Sequence, residues 1–252
     1  MDSPLPLSAV LPCFEEAPHL REVVAALGEA LAGSTEQWEI VLVVSEAARD
    51  GTPHVARELA EEMEHVRVVS QPARDPGYGR AVALGIEAAR HAHVLLTDSD
   101  GQFDHRELPR LVASLGEAEA VVGVRAPRRD PWARRAAGAV YTGVVTRLLG
   151  LGELRDVDCA FKLVDTRLLG AAPLRSRTGA INAELLSRVR TRGGRVVEVE
   201  VSHRPRRGGQ TRFEMRLGIL SHLPHPGEVW AIAQDVAALA ARRLRAARGR
   251  AD

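Results

Sequence analysis

The sequence predicts an α/β protein: a single domain on a mainly parallel central sheet flanked by helices, Rossmann-like in its alternation. Three observations carry this. Short, continuously apolar runs recur through residues 1–124, as strands buried on both faces require. Segments with apolar residues at helical spacing separate those runs. A chain of 252 residues with 45% hydrophobic content can bury a core of that kind. Strand–helix alternation then predicts parallel pairing through right-handed crossovers.

Residues 7–11 form the first predicted strand, which leaves through the loop Pro12-Cys13-Phe14-Glu15-Glu16. Pro18 suits the start of a helix, and Leu20, Val23, Val24, Leu27 and Leu31 repeat at its spacing. Residues 39–44 are the second strand. Thr52 is then an expected N-cap with Pro53 at the first helical position. Residues 66–69 are the third strand, 72–80 a Pro/Gly-rich loop and 81–90 a helix of small residues. Residues 93–97 are the fourth strand, and a helix over 106–115 and a strand over 120–124 follow. Beyond this point the pattern loosens. A long helix is expected over 132–149, a strand over 157–164, a helix over 182–192 and a half-exposed strand over 195–201. An amphipathic helix over 229–248 ends basic. These elements divide the chain into residues 1–228, with halves 1–124 and 125–228, and a C-terminal segment 229–252.

The formal net charge of +1 points to no nucleic-acid partner. Lys162 is the single lysine among 34 basic residues, so phosphate contacts would fall to guanidinium forks. Cys13 and Cys159 fit neither a disulfide scaffold nor a zinc pattern. Neither a signal peptide nor an apolar run of about 20 residues is visible, which leads to the expectation of a soluble cytoplasmic protein.

The chemistry centres on Thr97-Asp98-Ser99-Asp100-Gly101-Gln102. Two carboxylates one residue apart at the end of a buried strand stand where open α/β sheets bind ligands. The pair suits a divalent cation, Mg²⁺ or Mn²⁺, whose shell is completed by phosphate and water oxygens. A solvated acidic turn is the alternative. Gly77 and Gly79 allow close backbone approach, and Arg80 could neutralise phosphate. Arg125, Arg128, Arg129 and Arg135 form a basic cluster, and Arg204, Arg206, Arg207 and Arg212 lie in a Gly/Arg-rich loop.

Several stretches together carry a resemblance. They are Leu11-Pro12-Cys13-Phe14-Glu15-Glu16; the second strand with Arg49-Asp50-Gly51-Thr52; Gly77-Tyr78-Gly79-Arg80-Ala81; Asp98-Ser99-Asp100-Gly101-Gln102-Phe103; and Asp156-Val157-Asp158-Cys159-Ala160-Phe161-Lys162-Leu163. With the loop from His203 to Phe213 they resemble the family 2 inverting glycosyltransferases, of GT-A fold, over roughly residues 7–213. The dolichyl- and polyprenyl-phosphate sugar transferases are the subgroup they resemble.

The resemblance implies sugar transfer, with inversion, from a nucleotide-diphosphate sugar. It implies a metal on Asp98, Asp100 and the Gln102 carbonyl, and a donor site around Pro12, Phe14, Glu16, Glu46, Asp50, Gly79, Arg80 and Asp98. Arg125, Arg129, Lys162, Arg206 and Arg212 would hold acceptor or diphosphate. Asp158 would be the base for a hydroxyl acceptor, or would orient Lys162 or an arginine beside a phosphate acceptor. A lipid-phosphate acceptor would call for peripheral membrane contact, for which the helix over 229–248 is suited. That helix could equally pack as core or as a homodimer contact. One departure stands out. The family's two adjacent aspartates, then Gly-Ser, after the second strand are here Ser45, Glu46, Ala47 and Ala48, which puts the nucleotide preference in doubt. A soluble small-molecule acceptor, a nucleotidyltransferase and a non-catalytic nucleotide-binding homologue are the rival readings.

Overall fold

The computed structural model describes residues 5–126, 132–205 and 225–248. Among these, seven strands form one sheet: β1 (Leu7–Cys13), β2 (Trp38–Ser45), β3 (Val66–Gln71), β4 (His93–Leu96), β5 (Ala120–Arg125), β6 (Lys162–Asp165) and β7 (Val196–Val201). Their order is β3-β2-β1-β4-β6-β5-β7. The helices are α1 (Ala17–Ala32), α2 (Thr52–Glu62), α3 (Tyr78–Ala88), α4 (Leu108–Leu115), α5 (Trp132–Leu149), α6 (Ile181–Thr191) and α7 (Pro226–Arg248). The apolar runs of β1 and β2 are buried almost throughout, so the sheet lies between helical layers with the core on both faces.

Three elements depart from expectation, each for a local reason. α3 opens at Tyr78 rather than at 81, because Gly77, at φ 119°, turns the chain directly into the helix. Thr52 is the first helical residue of α2 rather than its cap. Asp50 Oδ1 takes the Thr52 N–H at 3.0 Å, and the Thr52 hydroxyl accepts from Glu16 N at 2.8 Å. Of the strand expected over 157–164, only Lys162–Asp165 pairs. Val157 and Phe161 owe their apolar character to burial in irregular backbone.

β6 also runs antiparallel to β4 and β5, in a sheet otherwise parallel. This reversal positions the site. Lys162 pairs with Leu96, the last residue of β4. The residues just before β6 therefore run on beside those just after β4. Asp158 and Asp98–Asp100 come to the same edge of the sheet, where β1 and β2 also end.

Candidate active site

At that edge the loop after β4 is fixed from both sides. Ser99 Oγ donates to the Pro12 carbonyl at 2.7 Å, tying the loop to the end of β1. Gly101, at φ 72°, makes the turn, and Asp100 Oδ1 accepts from Gln102 N at 3.1 Å. Gln102 Nε2 donates to the Arg204 carbonyl at 2.9 Å, and Arg204 N returns a bond to Gln102 O at 2.8 Å. With its nitrogen held there, the Gln102 amide keeps its oxygen as acceptor. Asp104 takes a fork from Arg106 and a bond from Arg204 Nη2 at 2.6 Å; the Arg106 bonds first hold its carboxyl down at about 2. His105 is buried against Thr97 Oγ1, 3.2 Å away, and desolvation lowers it to about 4, so it is neutral at pH 7.

Across the edge lies a second group. Arg125 forks onto Asp156, Nε–Oδ2 and Nη2–Oδ1 both 2.8 Å. Lys162 is fully buried, donates to the Val157 carbonyl at 3.1 Å, and is pulled by desolvation down to about 8. Asp158 is exposed, yet the protein mass around it raises its carboxyl pKa, against the pull of Arg125 and Lys162. Asn182 Nδ2 lies 3.4 Å from Asp158 Oδ1. Tyr78 is pushed well up, first by burial and then by Asp98 and Asp158, so it feels both carboxylates and links the two groups. The Tyr141 hydroxyl and Asn182 Oδ1 are buried without a hydrogen-bond partner among the described residues. Unpaired buried polar atoms are costly and call for a ligand or water.

The structure thus brings Asp98, Asp100 and Gln102 together with Pro12, and sets Asp158, Lys162 and Arg125 beside them. Other expected residues have protein partners. Glu46 is exposed and accepts from Ser70 Oγ at 2.7 Å and Ala73 N at 3.2 Å. Asp50 accepts from the Ala17 and Thr52 N–H groups, joining α1 to α2. Arg80 donates to Asp75 at 2.9 Å. The close approach that Gly79 permits is to the backbone of 176–178: a Cβ there would meet Ser176 O at 2.3 Å. Glu16 is buried and Phe14 half-buried beyond β1, next to Glu15 at φ 55°. Arg129, Arg206 and Arg212 lie outside the described residues. Tyr78, Tyr141 and Asn182 were not singled out from the sequence. Asn182 alone carried a signal, an amide between apolar residues at a helix start.

The donor chemistry fits a hard divalent cation. Two carboxylates and an amide oxygen are hard ligands, and Mg²⁺ or Mn²⁺ needs few of them when phosphate and water complete the shell. Among the described residues there is no group of three His, Cys, Asp or Glu able to hold a metal alone.

The profile of Glycosyl transferase family 2 matches residues 8–167. The chain is 35% identical over 212 residues to an uncharacterised glycosyltransferase of Mycobacterium tuberculosis, covering 82% of this chain and 88% of that protein. It is 27% identical over 208 residues to the undecaprenyl-phosphate 4-deoxy-4-formamido-L-arabinose transferase of Edwardsiella ictaluri, covering 82% and 62%. In fold it is similar to glucosyl-3-phosphoglycerate synthase from M. tuberculosis in complex with phosphoglyceric acid: TM-score 0.68, 21% identity, 95% of this chain and 80% of that one. A second crystal structure of that synthase, with Mn²⁺, UDP and glucosyl-3-phosphoglycerate, gives a TM-score of 0.67 at 20% identity, covering 93% and 78%.

Proposed function

The chain belongs to glycosyl transferase family 2 and is a glycosyltransferase using a nucleotide-sugar donor; we propose that it transfers the sugar with inversion to a polyprenyl phosphate. The observation that carries this reading is the antiparallel pairing of β4 with β6, which brings Asp98 and Asp100 after β4 to the same sheet edge as Asp158 before β6. A metal on Asp98, Asp100 and the Gln102 oxygen would act as a Lewis acid on the donor's diphosphate. Pro12, Phe14 and Glu16 line the nucleotide side, because β1 ends beside β4. The acceptor oxygen approaches from the Asp158 side and attacks the anomeric carbon as the nucleoside diphosphate leaves on the Asp98 side. A phosphate oxygen is already anionic and needs no base. Asp158 then orients the acceptor's surroundings together with Lys162 and Asn182. Arg125, committed to Asp156, acts by charge rather than by a free fork.

Support for the lipid-phosphate acceptor comes from the likeness to an undecaprenyl-phosphate transferase. A soluble phosphorylated acceptor is the second reading, favoured by the fold's likeness to a synthase crystallised with phosphoglyceric acid. One experiment separates them. Purified protein is given a panel of nucleotide sugars with Mn²⁺ or Mg²⁺, and either detergent-dispersed polyprenyl phosphate or 3-phosphoglycerate. Product on the lipid arm alone is the expected result. Product only on the soluble arm would move the acceptor to the second reading. Thermal stabilisation by a nucleotide sugar without product on any acceptor would favour a binding protein.

A further inference from the structure

β7 is an edge strand, separated from β4 by β6 and β5, yet the chain that leaves it returns to the loop after β4. Phe103 and His203 form an antiparallel bridge. Beside it, Arg204 N donates to Gln102 O at 2.8 Å, and Gln102 Nε2 donates to Arg204 O at 2.9 Å. Arg204 Nη2 then reaches Asp104 Oδ2 at 2.6 Å. On the other side of the bridge, Ser202 donates twice to Glu107, from N at 2.7 Å and from Oγ at 3.1 Å. The buried Phe103 ring is stacked on Phe161 at 5.4 Å between centroids and meets His203 T-shaped at 5.3 Å. Residues 202–204 are thus laced along the loop that carries Asp100 and Gln102.

We propose that Arg204 is a positioning residue for the metal of the transfer reaction, acting through Gln102. The inference rests on the metal reading of Asp98, Asp100 and Gln102 and says what fixes their geometry. Two of those three side chains take their orientation from Arg204. Its carbonyl holds the Gln102 amide, so Oε1 cannot rotate away without losing the Nε2 bond. Gln102 N in turn donates to Asp100 Oδ1 at 3.1 Å, which sets the Asp100 carboxylate. Partners of this kind orient ligands without touching the metal. Packing does not do this alone, because a hollow lined by His19, Glu22, Val23 and Gly101 lies between the loop and α1. The guanidinium locks the arrangement. Arg106 also forks onto Asp104, but it sits two residues on in the same loop and is 80% exposed, so it cannot tie the loop to β7. Arg204 makes that tie, from 100 residues away.

The test titrates Mn²⁺ against the full chain in the presence of the nucleotide sugar that stabilises the parent, read by thermal shift and by initial rate. Arg204→Gln should raise the half-saturating Mn²⁺ concentration roughly tenfold in both readouts, with turnover recovering at excess metal. Its Tm without metal should stay close to that of the parent. Arg106→Gln should leave the Mn²⁺ dependence unchanged. Gln102→Glu tests the other end of the contact, because a carboxylate cannot donate to Arg204 O. Were the side-chain oxygen only a ligand, the anionic oxygen would hold Mn²⁺ more tightly. The inference expects weaker binding. A lower metal-free Tm for Arg204→Gln with the parent's Mn²⁺ dependence would overturn the inference, since a purely structural clasp behaves that way. So would an equal loss of Mn²⁺ affinity in Arg106→Gln, or tighter Mn²⁺ binding by Gln102→Glu. A parent that responds to no nucleotide sugar with Mn²⁺ sinks the metal reading and the inference with it. A parent response that Arg204→Gln shares unchanged leaves the metal reading standing and sinks the inference alone.

Discussion

Glu15, exposed at the mouth of the site, holds φ 55°, a conformation that costs a residue with a Cβ of its kind about 1 kcal/mol or more. Asn tolerates that region far better. Glu15→Asn should therefore raise stability by about 1 kcal/mol, or roughly 2–4 °C in Tm for a chain of this size. An unchanged or lower Tm would show that Glu15 gains compensating contacts. Lys162 makes a pH prediction. Its folded pKa, about 8, lies below the unfolded 10.5, so burial of the charge costs stability below pH 8 and the cost fades between 8 and 10.5. Stability from this group thus rises with pH across that window. Activity should do the opposite, because the positive charge that Lys162 lends to the acceptor side of the site is lost as it deprotonates. Turnover should decline through about pH 8, and the near-isosteric Lys162→Met should be slower and lack that limb. An identical alkaline limb in the variant would assign it elsewhere. Asp98 and Asp100 were legible because a strand end followed by paired carboxylates says where they sit. The commitment of Arg125 to Asp156 was not. A paired arginine and a free one read alike, and the partner lies 31 residues away.

β6 decides the architecture of the site, and its direction was hidden. Apolar composition announces a strand but not its sense, which depends on where the preceding segment re-enters the sheet. The first five strands alternate with helices and were visible to within a few residues. The irregular 150–161 stretch carried no such period. The Gly-x-Gly loop was visible but its neighbour was not, since the approach is to residues about 100 positions later. Gly79→Ala would press a Cβ into Ser176 O and Thr178 O and should cost about 2–3 kcal/mol, measured by denaturant unfolding. A cost near zero would mean that the 176–178 segment yields. Asp235 on α7 caps that same segment, accepting from Arg177 N, Thr178 N and Thr178 Oγ1 at 2.8 to 3.0 Å. Asp235→Ala leaves those groups unpaired and should destabilise by about 2 kcal/mol. It should also lower kcat more than it raises KM for the donor, because Asn182 and Gly179 beside Asp158 follow directly on the segment.

At the scale of the molecule, the ends of β1, β2 and β4 and the start of the reversed strand β6 meet at one edge of the sheet. α7, for which the sequence left membrane contact, core packing and a dimer contact open, packs on α5 and holds the 177–178 backbone. The role proposed for Asp100 is in a metal-assisted transfer at this edge. The most direct measurement is the rate of nucleoside diphosphate release by Asp100→Ala, with polyprenyl phosphate and saturating Mn²⁺, beside its thermal unfolding. Asp100 is nearly buried but lies in a loop, so Tm should move by no more than a few degrees while turnover falls roughly a hundredfold or more. Turnover within a few-fold of the parent, at unchanged Tm, would contradict the assignment of the site.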